Sequence, residues 1–106
     1  MDGNQVKALA ADMNLADTYD LYLASYKGVS PPMTDLAFTF RDRFGSPALA
    51  FLTHKAMATT DRTELEAAVY ALQVSGAPCP PQLREQLFEQ AEKLRANRDS
   101  VDQLCR

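Results

Sequence analysis

The sequence holds one histidine, two cysteines and four glycines in 106 residues, and each scarcity removes a class of chemistry. The single imidazole is His54, in Phe51-Leu52-Thr53-His54-Lys55, and no HxxxH or HExxH pairing accompanies it. Cys79 and Cys105 form no CxxC, so neither a zinc ligand set nor a dithiol redox motif is written in the chain. A nucleophilic pair would need Cys79 activated by His54, and neither lies in a nucleophile motif. The glycines are dispersed, whereas a phosphate cradle needs several together so that backbone amides converge. No apolar run reaches the length of a membrane span. The start, Met1-Asp2-Gly3-Asn4, is acidic and polar, unlike the basic and then apolar opening of a secretory signal.

These absences lead to the expectation of a cytoplasmic, non-enzymatic protein with no cofactor, no metal and no membrane partner. Cys79 and Cys105 are expected as free thiols, although their number allows one disulfide. The net charge of −3 gives no global field that recruits nucleic acid. Its distribution is uneven: Asp2, Asp12, Asp17 and Asp20 face only Lys7 near the start. Between residues 27 and 62, Lys27, Arg41, Arg43, Lys55 and Arg62 outnumber Asp35, Asp42 and Asp61.

What is present is ordinary globular composition, 46% hydrophobic and 24% charged, and helical spacing throughout. The expectation is an all-α fold, a compact irregular bundle of five or six helices in a single domain over residues 1–106. Gly28, Gly45 and Gly76 each follow a helix-compatible stretch and are followed by proline within a few residues, the pattern of helix stops. Val6, Leu9, Ala10 and Met13 form one stripe. Leu15, Tyr19, Tyr22, Leu23 and Tyr26 form another on nearly the opposite side. The conflict predicts a break near Asn14, where Asn14 and Asp17 resemble a capping box.

Met33, Leu36, Ala37, Phe40 and Phe44 share a face of a helix over 34–44, with a short strand as the competing form because Leu36, Phe38 and Phe40 alternate. Ser46-Pro47 predicts an N-cap and proline at the first position of a helix to about Ala58. Asp61 and Glu64 predict a capping box for a helix to Ser75. Apolar residues nearly encircle that helix, which places it centrally. A long last helix over 81–106 carries Leu83, Leu87, Leu94, Val101 and Leu104 as a seam, interrupted by Gln90 and Asn97. Polar residues in such a seam select register and partner, so its distal half either closes the bundle or projects.

The function this favours is a small regulatory or adaptor protein acting through helix-mediated contacts with another protein or a second copy of itself. The candidate contact residues are Tyr19, Tyr22, Tyr26, Phe38, Leu87, Leu94, Val101 and Leu104, because tyrosines and unpaired apolar seams are enriched at interfaces. Core packing is the competing role for each of them. The alternative is a helical DNA-binding regulator using segment 27–62, with Arg41, Arg43, His54 and Lys55 against phosphates. Opposing it, the helix opening at Asp61 also carries Glu64 and Glu66, which would face phosphate. Glu89 and Glu92 lie on a charged helix face, where Glu89 pairs with Lys93 rather than forming a catalytic carboxylate pair.

Overall fold

The computed structural model describes residues 12–28 and 36–105. Among them are six helices and no strand, so the strand form of Leu36–Phe40 is not adopted. They are α1 (Leu15–Gly28), α2 (Ala37–Thr39, continuing as a π turn over Phe40–Phe44), α3 (Ser46–Ala58), α4 (Arg62–Val74), α5 (Pro81–Leu94) and α6 (Asp99–Leu104). The Val6/Leu9/Ala10 stripe and Met33 lie outside the described residues.

The central position expected of the 61–75 helix is observed. Helix α4 packs against α1, α2, α3, α5 and α6. Its buried residues are Leu65, Ala67, Ala68, Val69, Ala71 and Leu72. Three of the six are alanines, which let neighbouring helices approach closely from several directions.

Local signals at the helix starts are used, with corrections. Helix α1 begins after Asn14, whose Oδ1 accepts from the Asp17 backbone N–H at 2.8 Å, the cap expected there, while the stripe preceding it lies outside the described residues. Ser46 is the first helical residue rather than the cap. Gly45 precedes it with φ 66° and offers no side chain. At α4, Asp61 Oδ1 accepts from Thr63 N–H at 3.0 Å. The reciprocal half of the box is missing because the Asp61 N–H donates to Thr59 Oγ1 and Glu64 turns inward instead. Of the three glycine stops, Gly45 and Gly76 have left-handed backbones, while Gly28 is the last residue of α1 without one.

Replacing Asp61 by alanine is expected to cost about 1 kcal/mol through the lost cap. The hydrogen bond from Lys27, together with backbone N–H bonds from Thr63 and Glu64, holds the Asp61 carboxyl below the usual carboxylate range. Its contribution is therefore present at neutral pH and is lost as the pH falls below roughly 4. The Tm gap between wild type and Asp61→Ala should narrow on acidification, and a gap independent of pH would contradict this role.

The long last helix is the largest correction. Arg95 adopts a left-handed conformation, φ 57°, and ends α5. The chain then reverses, anchored by the Asn97 N–H on Glu66 Oε1 at 3.2 Å, into the six-residue α6. Val101 and Leu104 thereby return to the core beside α4 rather than projecting. Two buried side chains worth roughly 1.5–3 kcal/mol each are a thin anchor for six residues that each cost roughly 1–2 kcal/mol to order.

The expectation of free thiols is also overturned. Cys79 and Cys105 are joined in a disulfide with their Cα atoms 5.1 Å apart, inside the range such a bond requires. The reversal at Arg95 carries Cys105 back to the proline-rich link and creates that proximity. With the two sulfurs bonded, the cysteines give no ground for a reducing compartment. No helix among the described residues is long and apolar enough to cross a membrane.

Candidate functional site

The tyrosine stripe of α1 is turned into the protein. Tyr19 and Tyr22 are fully buried, and Tyr26 is half-buried beside them. Tyr19 packs edge-on to Phe51, and Tyr22 does so to Phe40, with centroids 5.4 and 5.5 Å apart. The polar tips are satisfied as well. The Tyr22 hydroxyl donates to the Ala67 carbonyl at 2.7 Å, and the Tyr19 hydroxyl donates to Glu64 Oε2 at 2.7 Å. Glu64 Oε1 accepts a second hydroxyl, that of Thr59, at 2.6 Å. These tyrosines fasten α1 to α3 and α4, and their interface-like chemistry is used within the chain.

Burial pushes both buried phenols far above their usual titration range. For Tyr19 the Glu64 carboxylate adds to the effect; for Tyr22 the neighbouring phenols of Tyr26 and Tyr70 do. Tyr26 is raised by burial and then by Glu66.

The seam residues behave similarly. Leu87, Val101 and Leu104 are buried in the core, and Leu94 keeps part of its surface. Gln90, expected to specify a partner, is itself buried and caps a neighbouring helix. Its amide donates to the carbonyls of Thr59, Ala56 and Met57 at 2.6, 3.1 and 3.3 Å. Asn97, the second polar interruption, sits in the reversal between α5 and α6.

The four basic candidates are not used alike. Lys55 lies with its ammonium 5.4 Å from the ring centroids of both Tyr19 and Phe51. The adjacent His54 borders a different feature, an apolar surface cleft of about 520 Å³ walled by Leu49, Ala50, Pro78, Pro80 and Leu83. Arg41 bonds Asp42 at 3.0 Å and also lies over the Phe38 ring. Cys79 is in the disulfide, so His54 has no thiol there to activate. No group of three metal-ligating side chains is assembled among the described residues.

One candidate contact residue retains a large exposed surface. Phe38 is 37% exposed and is the large hydrophobic side chain that stands out among the described residues. Arg41 sits 5.7 Å from its ring centroid, and Arg43 sits 4.7 Å from that of half-buried Phe44. The π turn organises this group: Gly45 N–H bonds the Phe40 carbonyl five residues back, at 3.0 Å. Phe40 points inward while Arg41, Asp42 and Arg43 face solvent. Such wide turns recur at functional sites. The sequence marks Phe38 as off the apolar face but carries no signal for the π turn.

Searches against protein-family models, curated proteins and solved structures find nothing that matches this chain.

Proposed function

We propose that this chain is a small non-enzymatic regulatory or adaptor protein that binds another protein through the face formed by Phe38, Arg41, Arg43 and Phe44. The observation carrying the reading is Phe38, a phenyl ring 37% exposed beside the Arg41 guanidinium, while every other large apolar side chain among the described residues is buried or half-buried. Aromatic rings and arginines dominate the energetics of protein interfaces. Arg41 lies over the Phe38 ring and bears positive charge at its edge, so the matching partner segment presents an apolar side chain beside an acidic one.

Phe38→Ala should lower stability by only about 1–2 kcal/mol, because 37% of the residue is exposed and it makes part of its contacts with the fold, and the variant should stay folded at working temperature. Partner recognition is tested with a photo-crosslinking amino acid at position 38 in the native host, and at exposed Gln86 as control. A discrete adduct with a foreign protein, specific to position 38 and lost in Arg41→Glu/Arg43→Glu, is the expected result. Equal labelling from both positions, an adduct with nucleic acid, or one of twice the chain mass would overturn the reading.

A further inference from the structure

We propose that the Cys79–Cys105 disulfide is a reversible redox latch that holds α6 against the body of the protein, and that a dithiol reductant opens it. The two sides of the bond differ in freedom. Cys79 stands between Pro78 and Pro80 in an extended link, Pro80 having ψ 157°, so its position is set by stiff backbone. Cys105 follows a helix of only six residues, whose first N–H, that of Asp99, is met by Asn97 Oδ1 at 2.9 Å. A helix that short does not persist in water without tertiary support.

Apart from the disulfide, α6 is held by packing on α4 and α5. Val101 and Leu104 are buried, and the exposed Arg84–Asp102 pair is at 3.6 Å. Just before α6, the Asn97 N–H bonds Glu66. The left-handed turn at Arg95 supplies the pivot from which residues 96–105 swing.

The bond is also within reach of a reagent. Both cysteines are half-exposed and line an open surface cleft of about 550 Å³ with Pro81, Arg84, Glu85 and Phe88. Accessible disulfides are the ones that exchange with external thiols. In the opening step, one thiolate of the dithiol attacks Cys105 Sγ, and Cys79 Sγ leaves as a thiolate and takes up a proton. The second thiolate of the reductant then attacks its own sulfur in the mixed disulfide, and Cys105 leaves and is protonated. Two electrons pass from the dithiol, which ends as a disulfide, to the protein, which ends with two thiols. Opening releases α6 and bares Val101, Leu104 and the surface of α4 beneath them.

The test compares full-length protein before and after dithiothreitol under native conditions, with thiols counted by alkylation and mass spectrometry, and amide exchange followed by segment. The Cys79→Ser/Cys105→Ser variant serves as a second, reagent-free open form. The expected result is native-state reduction, with exchange across Asp99–Leu104 accelerated on the order of 100-fold while α3 and α4 keep their protection. Sulfurs that resist reduction until denaturant is added would overturn the proposal. So would unchanged protection of α6 in the reduced protein and the variant, or loss of protection in all helices together.

Discussion

Gln90→Met is expected to lower the unfolding free energy by about 1–3 kcal/mol, because it removes a buried donor and leaves its acceptors in place. The acceptors are the carbonyls of Ala56, Met57 and Thr59, at and just beyond the end of α3. The last turn of any helix leaves carbonyls without intrahelical partners. Here no glycine follows, and the chain continues through Thr59 in extended conformation, φ −69° and ψ 149°. The amide of Gln90, projecting from α5, supplies the donors from outside. Methionine keeps the volume and loses the N–H groups. For a chain of this size the loss corresponds to a fall in Tm on the order of 10 °C.

Gln90→Glu should be worse at neutral pH, since a buried carboxylate then faces carbonyl oxygens of the same partial charge. Burial without a donor raises that carboxyl's pKa, so the added destabilisation is present at neutral pH and shrinks as the pH falls and the group protonates. Tm measured against pH for both variants checks the argument. A Gln90→Met protein as stable as wild type, or a Gln90→Glu protein insensitive to pH, would show that these carbonyls find other donors.

The same residue marks the limit of what the sequence discloses. Starts of helices are legible because their signals are local: Asn14, Pro47 and Asp61 act within a turn of themselves. Gly45 and Gly76 are legible for the same reason, as backbones that only glycine adopts without cost. The end of α5 is not. Arg95 takes a left-handed conformation that its side chain disfavours, and Leu87, Leu94 and Val101 keep seven-residue spacing straight across it. Periodicity alone therefore continues the helix. What stops it is tertiary: Val101 and Leu104 beside α4, Glu66 under Asn97, and the bond between Cys79 and Cys105.

The candidate contact residues divide along the same line. Hydrophobic spacing identified Tyr19, Tyr22, Leu87 and Val101 as important, and it could not say whether they face a partner or their own chain. Gln90 was visible only as an anomaly in a seam. Its acceptors lie more than thirty residues away in sequence, and nothing in α5 announces them. Phe38 was separable because it departs from the face shared by Leu36, Ala37 and Phe40. That departure is a local fact and survives into the folded surface.

Raising the pH above about 10 is expected to unfold the protein cooperatively, with Tyr19 and Tyr22 as the cause. In the folded chain both phenols are held protonated by burial, and Tyr19 further by its bond to Glu64. In the unfolded chain they ionise near pH 10. Their folded pKa values are raised, so the stability they contribute is complete below that pH and is lost as the pH climbs toward the folded values. Each phenol then removes about 1.4 kcal/mol per pH unit, and the pair about twice that. A domain near the lower end of the usual range of stabilities is exhausted by roughly pH 12. Tyrosinate absorbance and helical circular dichroism should therefore change together. Tyr22→Phe should be less stable at neutral pH, having lost its bond to the Ala67 carbonyl, yet its stability should fall about half as steeply with alkali. The two curves converge as the pH rises, which a purely structural loss would not produce. Phenols that all titrate near pH 10 in a chain still helical would place Tyr19 and Tyr22 in contact with water and remove the basis for the α1 anchor.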